Sequence, residues 1–284
     1  MSPLRNRYDI IFFFDVKGGN PNGDPVAGNA PRSDAITHQG LVSDVALKRR
    51  IRNYTSEARA GQDRYHIYVH DRAGDASRRG RPSVRPDAHH DSRLQQPVLP
   101  DIETLTRFFC DNFFDVRTFG AVIDTTFGTS HVRGPVQVGI ATSLEPIETT
   151  KVAENARREV VPYALYRTHL FVNAKLAERT GFDETDLDHL LGALKRLFDY
   201  DAAAGREEMA SRRLIAFKHR SALGNASAES LFARVKVRRK SGDTLYDLPL
   251  LNVPALPPAR QFGDYEISVD RDNLSEQLEI LDIL

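Results

Sequence analysis

Basic side chains are concentrated in three short runs of this sequence. "KRRIR" at 48–52 holds four basic residues and no acidic one, and "RVKVRRK" at 234–240 holds five. "RRLIAFKHR" at 212–220 adds two arginines at its start, and a lysine, a histidine and an arginine at its end. Such groups bind phosphates through charge-assisted hydrogen bonds, and a basic face attracts nucleic acid by releasing its counterions. The runs therefore suggest RNA as a ligand.

The total charge hides this concentration, because 39 Lys and Arg residues balance 39 Asp and Glu residues in a chain of 284. Residues 264–282 hold seven acidic side chains and one basic one, and "DETDLD" at 183–188 is also acidic. The chain is therefore predicted to carry opposed patches, and an acidic one could meet a basic patch on a neighbouring copy. Each basic run also has an ordinary interpretation, as a solvated helix face or as an edge strand protected against aggregation.

The run at 48–52 has the spacing of one helix face. Lys48 and Arg52 are one turn apart, and Arg49 lies three residues before Arg52, so the three cations are predicted to share one sector. No acidic residue follows any of them by four positions. The sector is therefore expected to remain positively charged.

Other residue types that could do chemistry are few. Asp24 and Asp34 could act in acid–base or metal-assisted cleavage, but aspartates in such surroundings more often close turns and cap helices. Tyr166 and His169 could stack on bases or pack in a core. Cys110 is the only cysteine and is predicted to be buried, and neither an H-E-x-x-H nor a Walker sequence is present. We therefore expect no metal site, cofactor or catalytic residue.

Periodicity predicts an α+β fold in which a buried strand at 10–14 is followed by a forced turn, "GGNPNGDP", at 18–25. Asp101 and Asp183 are predicted helix caps. Ile102 is expected to face inward, and Val136, Val138 and Ile140 are expected to share one side of their strand. The remaining predicted strands lie at 65–70, 132–142, 162–172, 212–220 and 264–270, and the predicted helices lie at 40–54, 102–116, 184–198 and 227–235.

Residues 71–97 have no periodicity and mix arginines with Asp, His, Pro and Gly, which predicts a mobile insertion. No apolar run approaches the roughly 18 residues of a membrane helix, and the opening residues lack the apolar core of a signal peptide. A cytoplasmic protein without a membrane partner is expected.

The order of several longer strings resembles a known family. "RYDIIFFFDVKGGNPNGDP", "FDVRTFGAVI", "HVRGPVQ", "VPYALYRTHLFVNAKLAERTGF", "RRLIAFKH", "LGNASAESLFARVKV" and "FGDYEISVD" follow one another along nearly the whole chain. Together they are similar to the Cas7 family, the backbone subunit of the type I-C CRISPR Cascade surveillance complex. The "NPNGDP", "RTFGAV" and "RGPVQ" strings are the most specific.

The resemblance implies a fold and a function. The fold would be a single domain, 1–284, with an RNA-recognition-motif or ferredoxin-like palm, an inserted finger at 71–97 and a shortened thumb at 143–160. Several copies would form a helical filament along one crRNA and hold its backbone, so that guide pairing reads the target DNA. Further partners would be Cas5 and Cas8 family proteins, a small subunit and a recruited helicase-nuclease that cuts in place of this chain.

The resemblance also nominates residues for RNA binding. Lys48, Arg49 and Arg52, with Arg32 from the preceding segment, match the part of the family that lies against the crRNA backbone. Arg133 is a further candidate, followed by Arg213 and Lys218 on the "RRLIAFKH" strand. The residues expected to shape the loop after the first strand are Asn20, Asn22, Gly23 and Asp24.

This chain departs from its relatives between the strings "RGPVQ" and "VPYALYR". Relatives have a long thumb segment there with a Ser-Ile-Thr-Arg type string, which is missing here. Two alternative functions remain open. One is a guide-directed RNA endonuclease, as in type III complexes, with Asp24 or Asp34 as the catalytic aspartate. The other is a generic assembly module whose opposed patches pair only with each other.

Overall fold

The computed structural model describes residues 2–69, 101–125, 128–151, 159–199, 208–250 and 256–284. The predicted finger insertion at 71–97 lies outside these ranges. Among the described helices, none has the length and apolar character needed to cross a bilayer.

The described elements are numbered in chain order. The strands are β1 (Tyr8–Gly19), β2 (Gly23–Asp24), β3 (Ala30–Pro31), β4 (Gln39–Val42), β5 (Gly120–Thr125), β6 (Gly128–Arg133), β7 (Val136–Val138), β8 (Ala141–Pro146), β9 (Thr150–Lys151), β10 (Glu159–Val172), β11 (Glu208–His219), β12 (Val235–Ser241), β13 (Thr244–Asp247), β14 (Tyr265–Val269) and β15 (Leu278–Asp282). The helices are α1 (Asp44–Ala58), α2 (Ile102–Asn112), α3 (Phe114–Phe119), α4 (Ala174–Thr180), α5 (Glu184–Lys195) and α6 (Ala228–Phe232).

The strand β1 lies at the centre of an antiparallel eight-stranded sheet with the order β15-β11-β1-β10-β8-β4, and β7 and β9 also pair with β10. Phe12 and Phe14 point into one core, whereas Ile11 and Phe13 point into a second core on the other face. A strand covered on both faces needs apolar residues at every position rather than at alternate ones. The predicted buried central strand is therefore confirmed.

Different layers cover the two faces of this sheet. On one face, Leu47 of α1 and Leu190 of α5 belong to the larger core. On the other face, Leu231 of α6 and Val237 of β12 pack in the second core, and β12 is the middle strand of a small sheet with the order β13-β12-β14. The basic run at 234–240 therefore lies in a central strand, which excludes the edge-strand interpretation.

Several sequence predictions are wrong in detail. Residues 65–70 do not form a strand in their described part, because the backbone amides of Tyr68 and Val69 donate to the Asp115 carboxylate instead of to a neighbouring strand. The helix predicted at 102–116 is two helices that meet at Phe113. Ile102, which was expected to face inward, is 48% exposed. Ile140 lies between β7 and β8 and is 59% exposed, whereas Val136 is buried.

The helix predicted at 40–54 starts later than expected, because the Ser43 hydroxyl accepts a hydrogen bond from Ala46 N and thereby caps α1. The residues before this cap belong to β4. Asp101 and Asp183 cap α2 and α5 as predicted.

The α+β class is confirmed by the large antiparallel sheet with helices packed against it, and the palm with finger and thumb stays a prediction. Of the predicted thumb span at 143–160, the described parts are the end of β8, β9 and the first residues of β10, and β9 pairs with Glu159 and Val160. Residues 152–158 lie outside the described ranges.

Candidate nucleic-acid interface

The turn after β1 is fixed to the start of α1 by side-chain hydrogen bonds. Asn20 Nδ2 donates to the backbone oxygen of Asn29 over 2.7 Å. Asn22 Oδ1 accepts from the backbone amide of Ser43, the cap of α1, over 2.9 Å. The two asparagines therefore join the two ends of the loop and fix one of them to the start of the helix.

Gly23 is required by close packing within the same loop. A Cβ atom at this position would lie 2.0 Å from Asn29 Oδ1 and 2.9 Å from the Asn29 backbone oxygen, which is closer than real Cβ contacts allow. The neighbouring Asp24 accepts a hydrogen bond from Val26 N over 3.0 Å and lies 3.6 Å from Arg32 Nη2. Asp24 therefore closes a turn and orients one of the proposed RNA-binding arginines.

Replacing Gly23 with Val is expected to lower the free energy of unfolding by about 1–3 kcal/mol, because the new side chain is forced against the carbonyl that Asn20 binds. If Arg32 binds RNA, as the family resemblance implies, RNA affinity is expected to fall as well, because the loop carries Arg32. Urea unfolding and a filter-binding titration measure the two effects. Ala27→Val, which adds a branched side chain to an exposed position of the same loop, is the control. Equal stability and RNA affinity of G23V and the unmodified protein would contradict this role for Gly23.

Asp34 also has a structural role. Its carboxylate accepts hydrogen bonds from the backbone amides of Ile36 and Thr37 at 2.9 and 2.7 Å. These bonds lower the pKa of Asp34 because they stabilise the ionised form, and the bond from Thr37 N has the largest effect. Among the described residues, no group of three His, Cys, Asp or Glu side chains is placed to hold a metal ion.

Two of the three predicted cations of α1 share a face but have acidic partners. Lys48 Nζ and the Arg52 guanidinium lie 5.7 and 5.4 Å from the centre of the Phe119 ring. Lys48 pairs with Asp44 over 2.9 Å, and Arg52 Nε pairs with the buried Asp115 over 2.8 Å. The expectation of an unneutralised sector is therefore wrong, because it considered only acids that follow the cations.

Arg49 and Arg133 are exposed. Arg133 ends β6, where it is paired with Gly120, the residue after Phe119. The backbone of Arg133 therefore lies next to the residue that follows Phe119, the ring that Lys48 and Arg52 contact. Arg32 is joined to the same region, because its backbone amide donates to Asn22 O and Asn22 binds the cap of α1. The α1 surface is defined here as Arg32, Lys48, Arg49, Arg52 and Arg133.

Arg213 and Lys218 do not belong to this surface. Arg213 pairs with Asp282 of β15 through both carboxylate oxygens and donates to Ile267 O of β14 over 3.0 Å. Lys218 lies five positions along β11, so it is on the opposite face of the sheet from Arg213. Residues 214–217 of β11 are buried on both faces of the sheet, so this part of the strand offers no open face to RNA.

The basic run at 234–240 is partly neutralised. Arg239, which is almost fully buried, pairs with Glu145, and Arg238 pairs with Glu266. Tyr166 is fully buried against Phe14 and is therefore a core residue rather than a base-stacking one.

A fully buried ion pair on α3 is not predicted by the sequence patterns. Arg117 is fully buried and forms a two-bond pair with Asp186, with both distances at 2.8 Å. The only sequence signal is the position of this arginine between Phe114 and Phe119 in an otherwise buried helix.

Comparisons with known proteins point to one family. The family model for CRISPR-associated protein Cas7 matches residues 6–270. A Haloferax volcanii protein, CRISPR-associated protein Cas7, is 31% identical over 127 residues, which is 42% of this chain and 32% of that protein. The aligned part thus spans about a third of this curated relative.

Two solved structures are similar to this chain. A chain of a CRISPR RNA-guided surveillance complex, pre-nicking, has a TM-score of 0.44 and 15% identity, covering 74% of this chain and 78% of that one. A chain of a second CRISPR RNA-guided surveillance complex has a TM-score of 0.40 and 14% identity, with coverages of 74% and 68%. Because the family model matches nearly the whole chain, from residue 6 to residue 270, this protein belongs to the CRISPR-associated protein Cas7 family.

Proposed function

We propose that this chain is a crRNA-binding backbone subunit of a type I-C CRISPR interference complex. Copies would lie along one guide RNA as a helical filament in the cytoplasm. The guide would pair with target DNA, and the remaining partners would be Cas5 and Cas8 family proteins, a small subunit and a recruited helicase-nuclease. Family membership supports this role, and the single structural observation that carries it is the α1 surface.

The α1 surface fits an RNA backbone rather than base edges. Arg49 and Arg133 are exposed and can approach phosphates directly. Lys48 and Arg52 are 19% and 14% exposed and are held over an aromatic ring by acidic partners, so they have little freedom to follow a base. Phosphate contacts position a strand without reading its sequence. This suits a subunit whose target is chosen by guide pairing.

Co-purification tests this function. The protein is expressed with its repeat-spacer transcript, and the bound RNA is sequenced. We expect a high ratio of absorbance at 260 to 280 nm that falls after RNase treatment, with repeat-spacer sequences in the RNA. Protein that emerges without nucleic acid, and that ignores the transcript at low salt, would favour the assembly-module alternative.

Replacing both Arg49 and Arg133 with Gln is expected to weaken binding to every guide sequence by a similar factor. It should also lower the slope of log K against log salt by about 0.7–1 for each arginine, because each phosphate contact releases counterions. Binding titrations at several salt concentrations measure the slope. Arg179→Gln, which removes an exposed arginine of α4 outside the α1 surface, is the matched control. A sequence-dependent loss, or an unchanged slope, would count against backbone binding by this surface.

The endonuclease alternative has its own test. Complementary RNA is incubated with the purified complex and Mg²⁺, with and without Asp24→Ala. The turn-closing bonds of Asp24 and Asp34 favour structural roles for both, so we expect no cleavage that depends on Asp24. Cleavage by the unmodified complex that disappears in D24A would replace the proposed function with the enzymatic one.

A further inference from the structure

A second cationic site lies on the opposite face of the large sheet from α1. It is a cleft of about 710 Å³ between β8 and β10 of the large sheet and β12 of the small sheet. Arg167 of β10 and Lys236 of β12 line its two walls. Residues 163 and 165 point into the core beneath the small sheet, so the alternation of β10 places residue 167 on that same face. The cleft is therefore separate from the α1 surface.

Arg167 is the unusual residue of this cleft. It is half-buried, and burial lowers the pKa of its guanidinium, since burial disfavours the charged form. In the described parts of the chain, every other half-buried or buried arginine has a carboxylate, carbonyl or side-chain partner. Arg167 has no such partner among the described residues. Partly buried charges without a partner are costly and therefore rare. The guanidinium N–H groups of Arg167 are therefore available to donate hydrogen bonds to an anion.

The walls of the cleft are also chemically mixed. Thr142 and Gln39 contribute polar groups, and Ile140, Leu144 and Pro249 contribute apolar ones. A volume of this size suits a small organic molecule better than a single ion. Asp247, which is exposed, adds one negative charge to the lining. The charged lining groups are therefore two cations and one carboxylate.

We propose that this cleft binds a phosphate-bearing nucleotide, with the phosphate on Arg167 and the base against the apolar wall. The arginine fork matches the geometry of phosphate oxygens. The nucleotide can be a free one or one unit of a single-stranded nucleic acid. This site goes beyond the proposed guide-binding role, because it uses neither the α1 surface nor the guide.

The test uses the full chain freed of nucleic acid by RNase and high salt, with AMP as the probe in isothermal titration. AMP and inorganic phosphate are expected to bind, and adenosine is expected to bind much more weakly. Arg167→Gln is expected to weaken AMP binding by about tenfold or more, the usual loss for a charged hydrogen bond. Arg179→Gln should leave it unchanged. Competition by a 5′-phosphorylated oligoribonucleotide would identify a strand as the source of the phosphate, and AMP binding that resists this competitor would identify a free nucleotide.

Two further measurements separate a binding role from a structural one. Asp247→Asn is expected to strengthen AMP binding by about threefold, the scale of one exposed charge interaction. His169, which lines the same cleft, has its pKa lowered to about 4 by burial and by the charge of Arg167. A bound phosphate offsets that charge, so the His169 pKa measured by NMR is expected to rise when AMP is added.

Several outcomes would overturn the proposal. They are no binding of AMP or phosphate at millimolar concentration, equal affinities of R167Q and the unmodified protein, or binding of a glutamate-rich peptide in place of AMP. R167Q should melt at the same temperature as the unmodified protein or higher, because it removes a charge without a partner. Loss of folding in R167Q would show a structural arginine and would also contradict the proposal. None of these outcomes depends on whether the chain binds a crRNA.

Discussion

Replacing Arg117 with alanine is expected to lower the free energy of unfolding by about 3–5 kcal/mol, the usual loss when one partner of a buried ion pair is removed. Arg117 is fully buried, and its fork meets both oxygens of Asp186 at 2.8 Å. It also donates to the backbone oxygens of Cys110 and Arg64 over 2.8 and 3.1 Å. The variant therefore leaves a buried carboxylate with one cation fewer and removes a donor from two carbonyls.

This loss is a large part of the roughly 5–15 kcal/mol that stabilises a typical domain. The same carboxylate accepts a hydrogen bond from Asp183 N at the start of α5, so the effect of the variant is expected to spread to the cap of that helix. Urea unfolding followed by circular dichroism measures the loss as a lower midpoint with little change in slope.

Arg107→Ala is the control for Arg117→Ala, because Arg107 is an exposed arginine of α2 with an exposed partner, Glu103. Its unfolding midpoint is expected to stay near that of the unmodified protein. Arg117→Lys keeps the charge but loses the fork, and it should fall between the alanine variant and the unmodified protein. If R117A unfolded at the same urea concentration as the unmodified protein, the cluster would not stabilise the fold.

Replacing Gly134 with alanine is expected to cost about 3 kcal/mol or more, at or above the upper end of the usual loss from overpacking. A Cβ atom at this position would lie 2.3 Å from the carbonyl carbon of Phe119, and 2.4 Å from both Gly120 N and Thr118 O. All three are backbone atoms, so no side-chain rotation relieves the clash. Either β6 moves away from α3 or the local fold opens.

The same variant is expected to weaken RNA binding if the proposed function is correct, because Phe119 supports Lys48 and Arg52 and because Arg133 precedes the substituted residue. Thermal melting and the guide-RNA titration measure the two losses. Gly192→Ala is a control that is expected to change the stability in the opposite direction. Gly192 is inside α5 with no atom within 4 Å of an added Cβ, so alanine there should stabilise the chain by about 0.5–1 kcal/mol. A G134A protein as stable as the unmodified one would contradict the close packing of these two segments.

Sequence patterns predicted those elements whose cause is local. The run at 10–14 is apolar at every position because both sheet faces are covered, and Asp101 and Asp183 act on amides within one helical turn. The strand predicted at 65–70 was wrong because its amides bind Asp115, which lies about fifty residues further along the chain. No periodicity carries such information.

In the candidate site, too, features with a local cause were predicted and features that depend on distant residues were not. Helical spacing correctly placed Lys48 and Arg52 on one face, but the acids that pair with them lie before the run and on α3. The strings "RTFGAV" and "RGPVQ" were singled out as separate signals. Their direct contact through Gly120 and Gly134 depends on the tertiary fold and could not be deduced from either string.

Asp115 connects Arg52 of the α1 surface to the backbone of residues 68 and 69. Its Oδ2 atom accepts hydrogen bonds from both Arg52 Nε and Val69 N, and its Oδ1 atom accepts from Tyr68 N. A ligand that drew the Arg52 guanidinium outward would leave the carboxylate to the two amides alone. Such a ligand is therefore expected to change the tethering of residues 68–69, and by linkage a change in that tethering is expected to change the ligand's affinity by the same factor. Asp115 is therefore a shared acceptor: a change in its bond to Arg52 is expected to alter its bonds to Tyr68 N and Val69 N, and the reverse also holds.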